Sequence, residues 1–417
     1  MKLVQASPQT TFTVINTDNS GSGSLRQAIH QANLNPGEDS ILFDIPGCTL
    51  ATPCVISLLN TLPLITDTLV ISGTGASTLI LDANNNFRAI SVGNVSVIIA
   101  DITIRNGRTT GRGAGIRSFG NLTLVRVHLL NNFAEEEGGG VYATGDLTIH
   151  QGFFAQNASD NYGGGLFAES ELVLENTNFL SNTANYNGGG LHSNGSTLIS
   201  GSRFEWNVAD DGGGAFVVGT AILTATTFLS NKSEDFGSGG GLFVDNDTWV
   251  TDSWFEENFS GRGGGLYVDG HLTLNNSTFL NNTAESDDGG GAYGKKDVRV
   301  EWGLFEGNTT LPGYGGGLFG GGLTSSSVWI TGTVFLSNTG GLETTGGQGG
   351  GLFTYGNVWV TDAWFENNQT DNEGGGVSSR GKLSLDNSTF ISNTAYYGGG
   401  AYSDEDMKVT GGIFEKM

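Results

Sequence analysis

A Gly-Gly-Gly triplet recurs down most of this 417-residue chain, and no ordinary globular domain accommodates such a repeat. Triplets begin at Gly138, Gly163, Gly188, Gly212, Gly239, Gly263, Gly289, Gly315, Gly349, Gly374 and Gly398, with a weaker precursor at Gly113-Ala114-Gly115. About fifteen residues after each of the first ten comes a second motif, F-x-x-N, from Phe154-Asn157 to Phe390-Asn393. The period of roughly 25 residues is too long for collagen or a coiled coil and suits one turn of a solenoid. A disordered, glycine-rich chain is excluded by position, because 33 of the 69 glycines fall in eleven triplets at fixed places in the period.

Between the motifs lie short alternating runs such as Leu147-Thr148-Ile149, Leu272-Thr273-Leu274 and Val358-Trp359-Val360. Alternation at period two reads as strand, so each repeat offers about three short strands: the pair after the glycines, the middle run, and the run through Phe. The expected fold is all-β, a parallel β-helix of roughly 14 rungs stacked at ~4.8 Å. Equivalent residues then form columns. The Phe positions, among them Phe179, Phe204, Phe228, Phe255 and Phe279, make an inward ladder. The Asn positions, among them Asn182, Asn207, Asn231, Asn258 and Asn282, make a second ladder of amides at a bend. Glycines mark a corner that needs positive φ or has no room for Cβ.

A two-rung period is superposed on the first. The residue after Phe is Leu or Ile at 180, 229, 280, 336 and 391, and Glu at 205, 256, 306, 366 and 415. The flanks of an inward Phe face solvent, so alternation keeps like charges nearly ~10 Å apart instead of ~4.8 Å. Tandem duplication of rung pairs also fits, given the near-identity of residues 249–256 with 359–366.

Residues 1–11 read as a tail and 12–56 as a cap, with the β-helix over 57–417. The cap holds a helix: Ser24 is the N-cap, Leu25, Ile29 and Ala32 share a face, and Asn35-Pro36-Gly37 stops it. Its expected duty is to cover the first rung. The chain stops inside a rung at Glu415-Lys416-Met417, which predicts an uncapped edge, a fragment or truncated product, and either a monomer or end-to-end association. Cys48 and Cys54 are placed to close a small loop by disulfide, which suits an exported protein. No signal peptide and no apolar run of about 20 residues is visible.

With 18 basic and 42 acidic residues the formal charge is −24, which excludes electrostatic capture of nucleic acid or of anionic membranes. Acids gather before the triplets. Asp210, Asp211, Asp287 and Asp288 are the weak Ca²⁺ candidates, but their loops vary in length and lack a fixed ligand pattern, so no metal or other cofactor is expected.

The pairing of Gly188-Gly189-Gly190-Leu191 with Phe204-Glu205-Trp206-Asn207, reiterated from Gly113 to Phe414, resembles the repeats of the chlamydial polymorphic outer-membrane proteins. The segment from Gly23-Ser24-Leu25-Arg26 through Asp39-Ser40-Ile41 looks like the start of many exported bacterial right-handed β-helix proteins. These resemblances imply a right-handed coil and a secreted, cell-surface or outer-membrane passenger, often adhesive. Family members end in an outer-membrane barrel, which this sequence lacks.

Two functions follow. The first is a non-enzymatic rod that binds a glycan or protein on its side walls. Trp249, Trp329 and Trp359 occupy the outward place of the middle strand, and Trp254 and Trp364 join them on the Phe strand. Trp329 and Trp359 lie in consecutive rungs, and the long loop Thr339 to Gln348 is expected beside them. The alternative is a polysaccharide lyase or glycoside hydrolase. Against it, basic residues are sparse, the repeated acids nominate no catalytic pair, and His30, His128, His150, His192 and His271 share no spacing.

Overall fold

The computed structural model describes residues 9–234, 236–341 and 346–416. Most of the tail and the middle of the long loop's span therefore lie outside the described residues. The chain divides into two units, residues 1–196 and 197–417.

Both units are parallel β-helices, and each regular turn has four strands instead of about three. In the first unit one turn runs Val141–Ala143, Leu147–His150, Phe153–Ala155 and Ala158–Ser159. In the second a turn runs Leu266–Val268, Leu272–Asn275, Thr278–Leu280 and Thr283–Ala284. The additional strand is two residues long and follows the motif Asn, too short for any alternation to reveal it. Every pairing within each unit is parallel and joins equivalent positions one turn apart, as in Leu122↔Leu147 and Leu272↔Val298. Among the described residues the long sheet built from the middle strands has seven strands in the first unit and nine in the second.

Three columns hold the turns. Motif phenylalanines stack from Phe204 to Phe414 with centroids 4.7–4.9 Å apart and planes within 2–7°. The interior rings of this ladder are fully buried, each contributing about 1.5–3 kcal/mol. The motif asparagines are buried too, and the amides in the interior of the column are fully used. Asn258 Nδ2 donates to Asn282 Oδ1 at 2.9 Å and to Phe228 O at 3.0 Å, while its Oδ1 accepts from Asn231 N and Nδ2, both at 3.0 Å. The third column is glycine. Gly263 has φ +60°, a Cβ on Gly264 would lie 2.3 Å from Gly290 O, and one on Gly265 2.6 Å from Gly291 O. The first glycine of a triplet thus supplies a left-handed turn and the other two permit close backbone approach.

Two further corners per turn are left-handed and mostly lack glycine, for example Asn276 (φ 46°) and Asn281 (φ 53°), where Asn, Ser and Asp predominate because short polar side chains tolerate this region. Register confirms the two-rung period on the Phe strand, with Glu205↔Leu229, Leu229↔Glu256, Glu256↔Leu280 and Leu280↔Glu306 in one column.

At the start of the first unit the helix α1 (Leu25–Ala32) forms as expected: Ser24 accepts from Gln27 N, and Leu25, Ala28, Ile29 and Ala32 are buried. It packs on strands Thr11–Val14 and Asp39–Phe43, which already pair with each other and with Leu69–Ser72. The coil therefore begins inside the segment read as a cap, with the helix laid against its first turns. Cys48 and Cys54 are joined in a disulfide with Cα atoms 5.0 Å apart. Among the described residues no helix is long and apolar enough to cross a membrane.

Candidate functional site

Because side chains alternate across a strand, the outward middle-strand column of the second unit reads Ile222, Trp249, Thr273, Arg299, Trp329, Trp359, Ser384. Only Trp329 and Trp359 are brought together. Their rings stack at 5.6 Å with planes 11° apart, and they remain 38% and 40% exposed. Trp249 is separated from them by Thr273 and Arg299. Trp254 and Trp364 are held apart in the same way by Thr278, Leu304 and Val334. Each of these two turns its indole N–H to the acid on its own strand, Trp254 to Glu256 at 2.8 Å and Trp364 to Glu366 at 2.9 Å. The W-F-E sequence thus pairs Trp and Glu on one outward face. The strand Thr339–Gly340, where the long loop's span begins, lies two corners further along the turn than the strand bearing Trp329, and residues 342–345 of that span lie outside the described residues.

One aromatic belonging to this wall escaped sequence reasoning. Trp302 takes a left-handed corner (φ 58°), is exposed, and lays its ring over Gly332 of the next turn, where an added Cβ would lie 2.3 Å from Cε3. The available signal was an indole at a corner that most often carries Asn, Asp or Gly.

A second feature also went unread. The residue in the middle of each post-glycine strand points away from the core yet is largely covered, forming an outer aromatic column. In the second unit Phe243, Tyr267, Tyr293 and Phe319 stack at 4.6–4.7 Å. Around it, the Tyr267 hydroxyl donates to Asp269 Oδ1 at 2.8 Å and Lys295 Nζ donates to the same oxygen at 3.0 Å. Arg262 pairs with Asp287 and lies 5.8 Å from the Tyr293 ring centre. Burial, reinforced by Asp287 beside it, pushes the Asp288 carboxyl up to about 7. Burial likewise raises Asp245, and Asp269 and Asp211 add to the rise. Tyr293 is pushed up to about 12, again chiefly by burial.

The first unit repeats the plan with other groups. Arg112 also precedes a glycine corner, also lies over the tyrosine of the next turn (5.1 Å from the Tyr142 ring), and donates to its hydroxyl at 2.9 Å. Arg112 pairs with Glu137 at 2.6 Å and Glu136 at 3.1 Å. Tyr142 donates to Glu169 at 3.3 Å, and Asn194 donates to the other oxygen of Glu169 at 2.8 Å. His192 stacks on Phe167 at 4.9 Å and meets Asn194 Oδ1 at 3.0 Å, and burial pushes it down to about 4, so it is neutral at pH 7.

Of the calcium candidates, Asp211 accepts the backbone N–H of Ser238 at 2.7 Å and Asp288 that of Tyr314 at 2.9 Å, so both clamp the following turn. Asp287 is engaged by Arg262. Among the described residues no group of three or more His, Cys, Asp or Glu side chains converges as metal ligands do.

The fold defines the class, a parallel β-helix. No protein-family model and no curated protein matches the chain. Solved structures to which it is similar include a mannuronan C-5 epimerase A-module from Azotobacter vinelandii, at 11% identity and TM-score 0.33 over 96% of this chain and 98% of that one. A second is the Dettilon tailspike protein, at 9% identity and TM-score 0.36 over 94% and 68%. A third is a mannuronic acid specific polysaccharide family 6 lyase from human gut microbiota, at 11% identity and TM-score 0.34 over 96% and 82%. The chemistry of the site is therefore read from this chain's own residues.

Proposed function

We propose that this protein is a secreted or cell-surface β-helix of the adhesive passenger type that binds a glycan on the outward wall of its second unit. The observation that supports it is the Trp329–Trp359 pair: two parallel indoles, each more than a third exposed, on a sheet whose register leaves them no freedom to separate. Rigid exposed indoles present a flat apolar face to the C–H face of a sugar ring at small entropic cost. The test is the double variant Trp329→Ala/Trp359→Ala, measured by attachment to cells and to immobilised glycans. Attachment is lost while the β-rich circular dichroism persists, because neither ring is part of the core; unchanged attachment overturns the proposal.

A second reading, a polysaccharide-active enzyme, is favoured by one observation: Asp288, titrating near 7, stands in the same cluster as Asp269, which receives hydrogen bonds from Tyr267 and Lys295. Two carboxyl groups with such different surroundings are what acid–base chemistry at a glycosidic bond requires. Product release from a polysaccharide that disappears in both Asp288→Asn and Asp269→Asn supports this reading. Absence of product from pectins, alginates and neutral glycans removes it.

A further inference from the structure

The first unit holds a cavity of about 380 Å³ whose lining includes Asn85, Asn86, Arg88, Arg108, Thr110 and Glu135. Two of these side chains are cations in a chain of net charge −24, and neither forms an ion pair among the described residues, whereas Arg105, Arg112 and Arg126 nearby all do. Arg88 is fixed by neutral acceptors alone. Its Nε donates to Gly113 O at 2.8 Å and Arg112 O at 3.2 Å, and its Nη2 donates to Arg112 O at 2.8 Å and Thr109 Oγ1 at 3.1 Å. Carbonyls orient the guanidinium without neutralising it, and burial together with the like charge of Arg117 lowers its pKa to about 10. Arg108 is oriented by a different device, its guanidinium lying 4.7 Å from the ring centre of Phe133 one turn away. A partly desolvated, pre-oriented cation without a counter-charge is costly to keep, and an arriving anion recovers that cost.

The rest of the lining selects among anions. Asn84 and Asn85 are consecutive left-handed residues that turn the loop and bring Asn85 and Asn86 to the cavity. Amides there and the Thr110 hydroxyl suit a polyhydroxylated ligand. Glu135 disfavours a polyanion or a phosphate dianion but tolerates one negative charge and accepts from hydroxyl groups.

We infer that this cavity binds the carboxylate of an acidic saccharide, with Arg88 and Arg108 on the carboxylate and Asn85, Asn86, Thr110 and Glu135 on the ring hydroxyls. The site is separate from the tryptophan wall, and its ligand class does not depend on that proposal.

The experiment is calorimetric titration of the whole chain with trisaccharides that carry a single uronic acid (galacturonate, mannuronate or glucuronate), their neutral methyl esters, sodium sulfate and triglutamate. At least one uronate binds, its ester binds about tenfold more weakly or worse, and Arg108→Gln reduces uronate affinity by a similar factor, as loss of a charge-assisted contact requires. Arg88→Gln removes bonds that hold the corner at Gly113 and risks the fold, so Arg108→Gln, which leaves those bonds alone, decides the question. Trp329→Ala/Trp359→Ala leaves the titration unchanged, which separates this result from the fate of the wall. Failure of every uronate to bind, equal binding of the esters, sulfate or triglutamate binding as tightly as the uronate, or indifference to Arg108→Gln each overturns the inference.

Discussion

The two arginine–tyrosine clusters occupy the same place in the repeat and yet present opposite chemistry. In the first unit the column runs Tyr142, Phe167, His192, and its titratable ring is sealed in an aromatic stack and kept neutral. In the second it runs Phe243, Tyr267, Tyr293, Phe319, and the titratable groups are the carboxylates and amine along its margins. The backbone around both is the same four-stranded turn. What separates them is the identity of three residues per turn: the one before the glycines, the middle one of the strand that follows, and the one after that strand. A solenoid therefore fixes where side chains meet and leaves open what they are.

That comparison is sharpened first by a change it predicts to be indifferent to region. Asn157 and Asn258 have matching partners, so Asn157→Ala and Asn258→Ala each cost roughly 3 kcal/mol, since the preceding turn's amide N–H groups and a carbonyl lose their partner in the core. Urea midpoints check this, and a large disparity breaks the view of a shared frame.

Next comes pH. The folded-state pKa of His192 lies near 4, below its ordinary 6.5, so between those values the unfolded chain binds the additional proton and stability rises with pH. The stabilisation is present above pH 6.5 and lost on acidification towards 4, up to about 3 kcal/mol. His192→Gln flattens this slope in denaturation measured across that window.

Asp288 acts with the opposite sign. Its folded pKa near 7 lies above the ordinary 3.8, so the folded chain holds the additional proton in between. Stability from this group is full below 3.8 and declines as pH rises to 7. Asp288→Asn removes that decline, and a variant that loses stability at low pH instead breaks the comparison.

How far the residues announced these features follows from repetition. The Phe, Asn and Gly columns were readable because each position recurs about ten times with one identity, so register could be inferred without coordinates. The Leu/Glu alternation was readable for the same reason. The short fourth strand left no pattern. The clusters were hidden because their members are one turn apart, as Arg262 and Tyr293 are, and lie in segments that do not repeat. The tryptophans read as outward are exposed, and the adjacency of Trp329 and Trp359 in consecutive turns was legible too, because equivalent positions of neighbouring repeats stack directly.

The contact between Trp302 and Gly332 bears on how this surface can change through descent. A side chain at Gly332 meets the indole, whereas a smaller residue at 302 leaves only the left-handed backbone (φ +56°) to restrict Gly332. Substitution at the two positions is therefore coupled: a larger residue at 332 requires the exposed ring at 302 to swing aside or be replaced.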